Sequence, residues 1–450
     1  MEHTQELDHI QAVRRSLPAV LSQVYLNTGT AAPLPTPVSQ AIQSSLRQQL
    51  EQGRANPATY RQFERLQAEV RAGLADLIGA DPDEIALTHH TTEGLNLVVW
   101  GLPWAAGDWV LTTNLEHEGA LLPLYQLHRR RTVTIRLADL GLGEPEVALA
   151  RLTPLLESGD PTGRPPRLLV LSHVSFATGA VLPLAEITAA AHSHGTQILV
   201  DGAQSVGALP VDVHQLQVDY YAFPGQKWLC GPEGTGGLYV RRDRWAELEP
   251  TMLGWASIAE SADLGPLYAL DSPYYLPAPG ARRYETGTVF PPGIAGLAAA
   301  LQWRREEVGE EWALRRVQQL VEYARQRLAT VPGLRLFTPT SAGAGAGAGL
   351  LHFRIESNRL EQSKPWGQAE QPGQSKPEQS GRSEGEEDAR GAASRSIRWW
   401  VQALLARGFM VRSIRQPASI RISVSFFNTE EELDRLVATL EELGRTRTEQ

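Results

Sequence analysis

The chain has 450 residues, 42% of them AVILMFWYC and 21% charged, with a formal net charge of −9. That balance fits a soluble globular protein of about two or three domains. It argues against nonspecific binding to nucleic acid or anionic lipid. No apolar run approaches the roughly 20 residues that span a bilayer, and the start MEHTQELDHI shows no secretory pattern, so a cytoplasmic location is expected. The single cysteine, Cys230, excludes an intramolecular disulfide and a Cys-rich metal cluster.

Tyr60, Phe63, Leu66, Val70, Leu74 and Leu77 recur at three- and four-residue spacing and predict an amphipathic helix. From about 85 to 240, short apolar runs alternate with helical patterns. IALT (85–88), WVLTT (109–113), TVTIR (132–136), RLLVLS (167–172), QILVD (197–201), DYYAF (219–223) and GGLYV (236–240) read as strands. GLNLVVWGL and PLAEITAAAHSHG read as helices between them. This alternation predicts an α/β layered domain on a mostly parallel sheet.

After about 291 the pattern becomes that of a smaller α+β domain. Helical stretches at 293–307 and 312–333 precede a strand at 350–355, a helix at 396–408, a strand at 420–427 and a closing helix at 429–444. Two low-complexity segments, 342–349 and 356–396, interrupt it, and the composition of the second cannot bury enough apolar surface to order itself.

Lysine occurs only at 227, 364 and 376, and the last two fall in the second low-complexity segment. Arginine replaces lysine well on a surface, but it cannot lose its proton to act as a nucleophilic amine. Lys227 is therefore a candidate for chemistry. Asp201 ends the QILVD strand, and Lys227 follows the next strand on the same rim, where open α/β sheets bind ligands. An acid and a lysine on adjacent strand ends suit pyridoxal phosphate, which needs an amine for its aldehyde and a carboxylate for its ring nitrogen. The competing reading is a plain Lys–Asp salt bridge.

Thr91 and Thr92 stand at a predicted helix start, able to offer hydroxyls and free N–H groups to a phosphate, although threonine there is more often only a cap. His117 follows another strand end on that rim. Histidines 89, 90, 192 and 194 lack a surrounding ligand set, so no metal is expected. GPEGTGG (231–237) precedes a strand instead of opening a helix, which excludes a dinucleotide loop.

VDGAQSVGALPVDV (200–213) followed by DYYAFPGQKWLCGPEGTGGLYV (219–240) resembles the core signature of class V aminotransferase-fold enzymes, which are fold type I pyridoxal-phosphate proteins. Cysteine desulfurases, isopenicillin N epimerase-like proteins and cystine C–S lyases belong to that group. The resemblance extends from YLNTGTAAPLP (25–35) to SFFNTEEELD (425–434), low-complexity insert excepted. SHVSFATGAVLPLAEI, LGWASI and RYETGT are most similar to the lyase and epimerase-like branches.

The resemblance implies a fold type I architecture. A large domain with a mostly parallel mixed sheet would span 31–290, and a small α+β domain would comprise 1–30 with 291–450. It implies Lys227 as the Schiff-base lysine and Asp201 as partner of the pyridine nitrogen. Gln204 would face the phenolic oxygen, and His117 would stack on the ring. Thr91 and Thr92 would hold the phosphate, with Thr288 of ETGT reaching it from a second subunit of a homodimer with shared active sites; Gln226, which departs from the family's residue there, would offer its amide instead. Arg421, with Arg412 as a second clamp, would grip the α-carboxylate of an amino acid substrate.

Three departures bear on the reaction. Pro224-Gly225-Gln226 replaces the family's frequent Ser/Thr-x-His, so one phosphate donor is missing. The asparagine common near 175–178 is absent. Residues 412–417 contain no cysteine of the kind a desulfurase uses, and Cys230 reads as a small buried hydrophobe. The expected activity is C–S lyase β-elimination or related class V chemistry without a catalytic cysteine. Class V aminotransferase and epimerase chemistry are the alternatives, ahead of desulfurase activity or a non-catalytic role.

Overall fold

A computed structural model of the chain describes residues 2–261, 265–266, 268, 274–340, 347–356 and 396–448. Most of the two low-complexity segments, with Lys364 and Lys376, lies outside the described residues. Among those described, no helix is long and apolar enough to cross a membrane.

The N-terminal strand β1 (Val24–Tyr25) pairs in parallel with Phe409–Met410 of the C-terminal region. The large sheet contains β2 (Ile85–Thr88), β3 (Trp109–Thr113), β4 (Thr134–Ala138), β5 (Leu168–Ser172), β6 (Gln197–Asp201), β7 (Tyr220–Pro224) and β8 (Gly236–Val240). Their order across it is β2-β8-β7-β6-β5-β3-β4. Only β8 runs antiparallel to its neighbours, β2 and β7. A short helix-free connection from Pro224 to Gly236 permits only that reversal, whereas the parallel pairs are joined by helical crossovers.

Six strands are buried along their whole length, as a sheet covered on both faces requires. Edge strand β4 is partly exposed and begins two residues later than the TVTIR pattern predicts, because Thr132 caps the preceding helix in a left-handed conformation. Since β2 is antiparallel to β8, it runs with β3, β5, β6 and β7. Their C-terminal ends therefore share one rim.

The small sheet is antiparallel, in the order Leu334–Leu336, Leu350–Ile355, Ala418–Ser423, Arg412–Arg415. The first and last of these have no clear pattern in the sequence. The strand predicted through 427 ends at Ser423, where Asn428 Oδ1 accepts the Ser425 N–H at 2.9 Å and turns the chain. Helices Glu310–Leu328 and Glu430–Thr448 accompany this sheet. Val13, Leu17, Val20 and Leu26 pack into the same core, so the N-terminal segment lies with the C-terminal sheet.

A single π-helical turn, Arg304–Val308, extends helix Pro291–Trp303. Its buried Arg304 pairs bidentately with Glu310 and donates to the carbonyls of Trp228 and Gly207, fastening the small domain to the loop that carries Lys227.

Candidate active site

The shared rim opens into a cavity of about 230 Å³ where the large domain, the small sheet and the Asn27–Thr30 turn meet. It gathers Thr91, Thr92, His117, Asp201, Gln204, Gln226, Lys227, Arg412 and Arg421. Thr288 is not among them. It lines a separate cavity of about 1180 Å³ beside helices Thr36–Gln52, Pro57–Ile78 and Pro291–Trp303.

Asp201 is buried at the end of β6, where Oδ1 accepts the Ala203 N–H at 2.9 Å. It forms no ion pair with Lys227 within 4 Å, so the plain salt-bridge reading fails. Burial pushes the Lys227 ammonium down to about 8. Asp201 opposes that shift, and Arg421 and Arg412 reinforce it. The lysine loop is tightly fitted. A Cβ at Gly225 would lie 2.3 Å from Thr235 Oγ1, and that hydroxyl is held by the Pro232 carbonyl at 2.7 Å. Gln226 Oε1 is buried with no partner among the described residues.

Thr91 and Thr92 open helix Thr91–Gly101, but the N-cap is His90, whose Nδ1 accepts the Glu93 N–H at 3.0 Å. The threonine hydroxyls are thereby released from capping. His117 caps the next helix, accepting the Gly119 N–H on Nδ1 at 3.0 Å, and meets Phe176 edge-on at 4.7 Å between ring centroids. Burial holds its imidazole below the ordinary range despite the pull of Asp201. Gln204 donates to the Gly29 carbonyl at 2.8 Å and accepts the Trp228 indole N–H at 2.9 Å, which leaves one amide N–H unspent.

Arg421 is buried on the small sheet, and burial with the nearby Arg412 pushes its guanidinium down to about 9, still protonated at neutral pH. Neither arginine forms an ion pair with a carboxylate among the described residues. Both donate to Thr30 Oγ1, Arg421 at 2.7 Å and Arg412 at 2.9 Å.

Sequence reasoning overlooked Thr30, Asn27 and Glu116. Glu116 is buried directly before His117 and accepts hydroxyls from Thr113 at 2.6 Å and Ser172 at 2.7 Å. Burial pushes its carboxyl up to about 7, with Asp201 adding to the shift. A carboxylate beside a rim histidine was the available signal. The other histidines weighed as ligands are dispersed: His89 pairs with Glu93 at 2.8 Å and His192 with Asp219 at 2.9 Å. Among the described residues no group of three or more His, Cys, Asp or Glu side chains could hold a metal.

The wider chain matches a known family. Residues 24–358 match the family described as Aminotransferase class-V, and the chain belongs to that family of enzymes. It is 35% identical over 292 residues to a probable cysteine desulfurase of Methanothermobacter thermautotrophicus, covering 65% of this chain and 69% of the relative. It is 30% identical over 430 residues to isopenicillin N epimerase of Streptomyces clavuligerus, covering 93% and 94%. Among solved structures, it is similar to the cystine C–S lyase C-DES in complex with its product cysteine persulfide. That likeness has a TM-score of 0.78 and 32% identity, over 95% of this chain and 99% of that one. The fold is fold type I, as the resemblance implied.

Proposed function

We propose that this chain is a pyridoxal-phosphate enzyme that cleaves the Cβ–S bond of an amino acid by β-elimination, without a cysteine of its own taking part. The donor set fits the cofactor. Among the described residues the cavity offers an amine with no carboxylate paired to it, a buried carboxylate with no cation paired to it, two threonine hydroxyls at a helix start and the Gln226 amide, whose oxygen has no partner and whose NH2 can donate. When bound, pyridoxal phosphate supplies an electrophilic aldehyde and a ring that accepts the electrons of a bond broken at Cα.

The protein's part follows from its side chains. Lys227, with its ammonium already destabilised by burial, takes the Cα proton as general base. Asp201 holds a proton on the ring nitrogen. Thr91, Thr92 and the N-terminus of their helix bind the phosphate oxygens, and Gln226 replaces the missing Ser/Thr-x-His donors. The unspent Gln204 N–H serves the phenolic oxygen, and the neutral His117 ring covers the cofactor face. Arg421 and Arg412 fix the substrate α-carboxylate. Thr288 serves the phosphate of a second copy, consistent with its place outside its own chain's cavity and beside Phe290, which is 60% exposed. A holoenzyme that sediments as a monomer would refute that last assignment.

One observation sets elimination ahead of sulfur transfer to the protein. The only cysteine, Cys230, is buried in the core outside the cavity, and burial pushes its thiol up to about 12. No thiol is placed to receive a sulfur atom. The many relatives named cysteine desulfurase favour a second reading, in which cysteine sulfur passes to the protein. Incubating the holoenzyme with cysteine, cystine and other amino acids separates these readings. Elimination releases pyruvate, ammonia and a sulfur product. Protein-bound persulfide on Cys230, amino-group transfer or inversion at Cα without pyruvate would each overturn it.

A further inference from the structure

Resting on the carboxylate clamp above, we propose that Thr30 is a positioning residue that joins Arg412 and Arg421 into a single receptor for the substrate α-carboxylate. The two arginines face each other directly across antiparallel strands, a placement in which like charges repel. Both nevertheless converge on one atom. Thr30 Oγ1 accepts Arg421 Nη2 at 2.7 Å and Arg412 Nη1 at 2.9 Å, and it donates to Asn27 Oδ1 at 2.7 Å. A hydroxyl has one donor and two lone pairs, and all three are spent here. Asn27 Oδ1 takes a further contact from Arg421 Nη2 at 3.3 Å.

Among the described residues no neighbour supplies the missing negative charge. His352 stands opposite Arg421 on its other flank, and burial, with Arg421 adding, holds its imidazole well below the ordinary range and so neutral. Lys227 carries no negative charge, and Asp201 is assigned to the ring nitrogen. The hydroxyl thus aligns two guanidiniums without neutralising either, leaving the charge for an incoming carboxylate.

The hub is also fixed in place. Thr30 closes a turn through its N–H to the Asn27 carbonyl at 2.9 Å. The Gly29 carbonyl is held by Gln204, and a Cβ there would meet the Leu350 side chain at 2.8 Å and Gln204 Oε1 at 3.1 Å. The turn is wedged between the cofactor side of the cavity and the small sheet. The N-terminal segment therefore sets the spacing of the clamp.

The test uses the holoenzyme carrying Thr30→Val, Thr30→Ala, Thr30→Ser or Arg421→Ala, titrated with glycine while the bound cofactor's absorption is followed. Thr30→Val and Thr30→Ala are expected to weaken glycine binding by about tenfold or more, as loss of hydrogen bonds to charged groups does. Cofactor content and the resting spectrum stay as in the parent enzyme. Thr30→Ser restores binding, and in turnover the Val and Ala variants raise KM while kcat holds. Should Thr30→Val fail to fold, the Ala and Ser variants decide the matter. Unchanged glycine binding in the Thr30 variants, with binding lost in Arg421→Ala, would overturn the role of Thr30 alone. So would loss of cofactor from Thr30→Ala, or failure of serine to restore binding. Unchanged binding in Arg421→Ala would overturn the clamp itself.

Discussion

Lys227 offers a direct measurement of the forces that prepare this site. In the cofactor-free enzyme its ammonium is pushed from 10.5 down to about 8, with burial the largest cause. At pH 8 about half of such an amine is neutral and nucleophilic, against roughly 0.3% of an ordinary lysine. Cofactor attachment to the apoenzyme should therefore accelerate as pH rises through about 8 and level off well below 10. The secondary causes predict opposite responses to substitution. Arg412→Ala removes a like charge and raises the midpoint; Asp201→Asn removes an opposing one and lowers it further. The chain's three lysines make the assay simple. Reductive methylation with ¹³C-formaldehyde gives few resonances, Lys364→Arg and Lys376→Arg clear the background, and the remaining lysine signal is titrated by NMR. A midpoint near 10.5, or an upward shift in Asp201→Asn, would refute the account.

Three further outcomes are expected. Gly225→Ala places a Cβ 2.3 Å from the tethered Thr235 hydroxyl and 3.2 Å from Leu297, so thermal unfolding should show a loss of about 1–3 kcal/mol, and cofactor retention should fall because Lys227 is two residues away; a parent-like Tm and spectrum would contradict the fit. Glu116 has a folded pKa raised above its ordinary 4.5 to about 7, so its contribution is present at low pH and is lost as pH rises between those values. Glu116→Gln should therefore gain stability relative to the parent across that window, by up to about 3 kcal/mol, in denaturant titrations at several pH values, and a difference that shrinks with pH would exclude it. Cys230→Ala should keep turnover and lose about 1 kcal/mol of stability from the truncated buried side chain, whereas an inactive but fully loaded variant would restore the desulfurase reading.

The large sheet was legible because its strands are buried on both faces and read as unbroken apolar runs between turn signals. Asp201 and Lys227 were legible for a related reason. Strand ends are easy to place, and a nearly lysine-free chain makes one lysine conspicuous. Arg412–Arg415 was harder to read, since RSIR alternates weakly and is held by its pairing with Ala418–Ser423. Thr30, Asn27 and Glu116 were hidden for another reason. Glu116, beside His117 and bonded to Thr113 three residues before it, left a local signal, but it also acts through Ser172, and Thr30 acts through arginines at 412 and 421, partners far away in sequence. Short-range spacing carries no trace of such contacts. His90 supplies the cap of the helix that Thr91 opens, because an imidazole nitrogen can accept the same N–H that a hydroxyl accepts.

The two chemical tasks of the site rest on different parts of the chain. On the proposed reading, proton handling and cofactor binding fall to the rim of the large sheet, where Asp201, Lys227, Thr91 and His117 follow the ends of buried strands. The proposed carboxylate grip falls to the small sheet and the Asn27–Thr30 turn. Two sets of contacts bridge them near the lysine: Gln204 to Gly29 and Trp228, and Arg304 to the carbonyls of Trp228 and Gly207. Both sets grasp Trp228, the residue after Lys227, so the distance from the base to the clamp is fixed by a single short segment. That geometry lets the grip be altered at Thr30 while the lysine keeps its surroundings. Changes to the clamp should therefore be read in substrate affinity, and changes to the loop at 224–228 in cofactor retention.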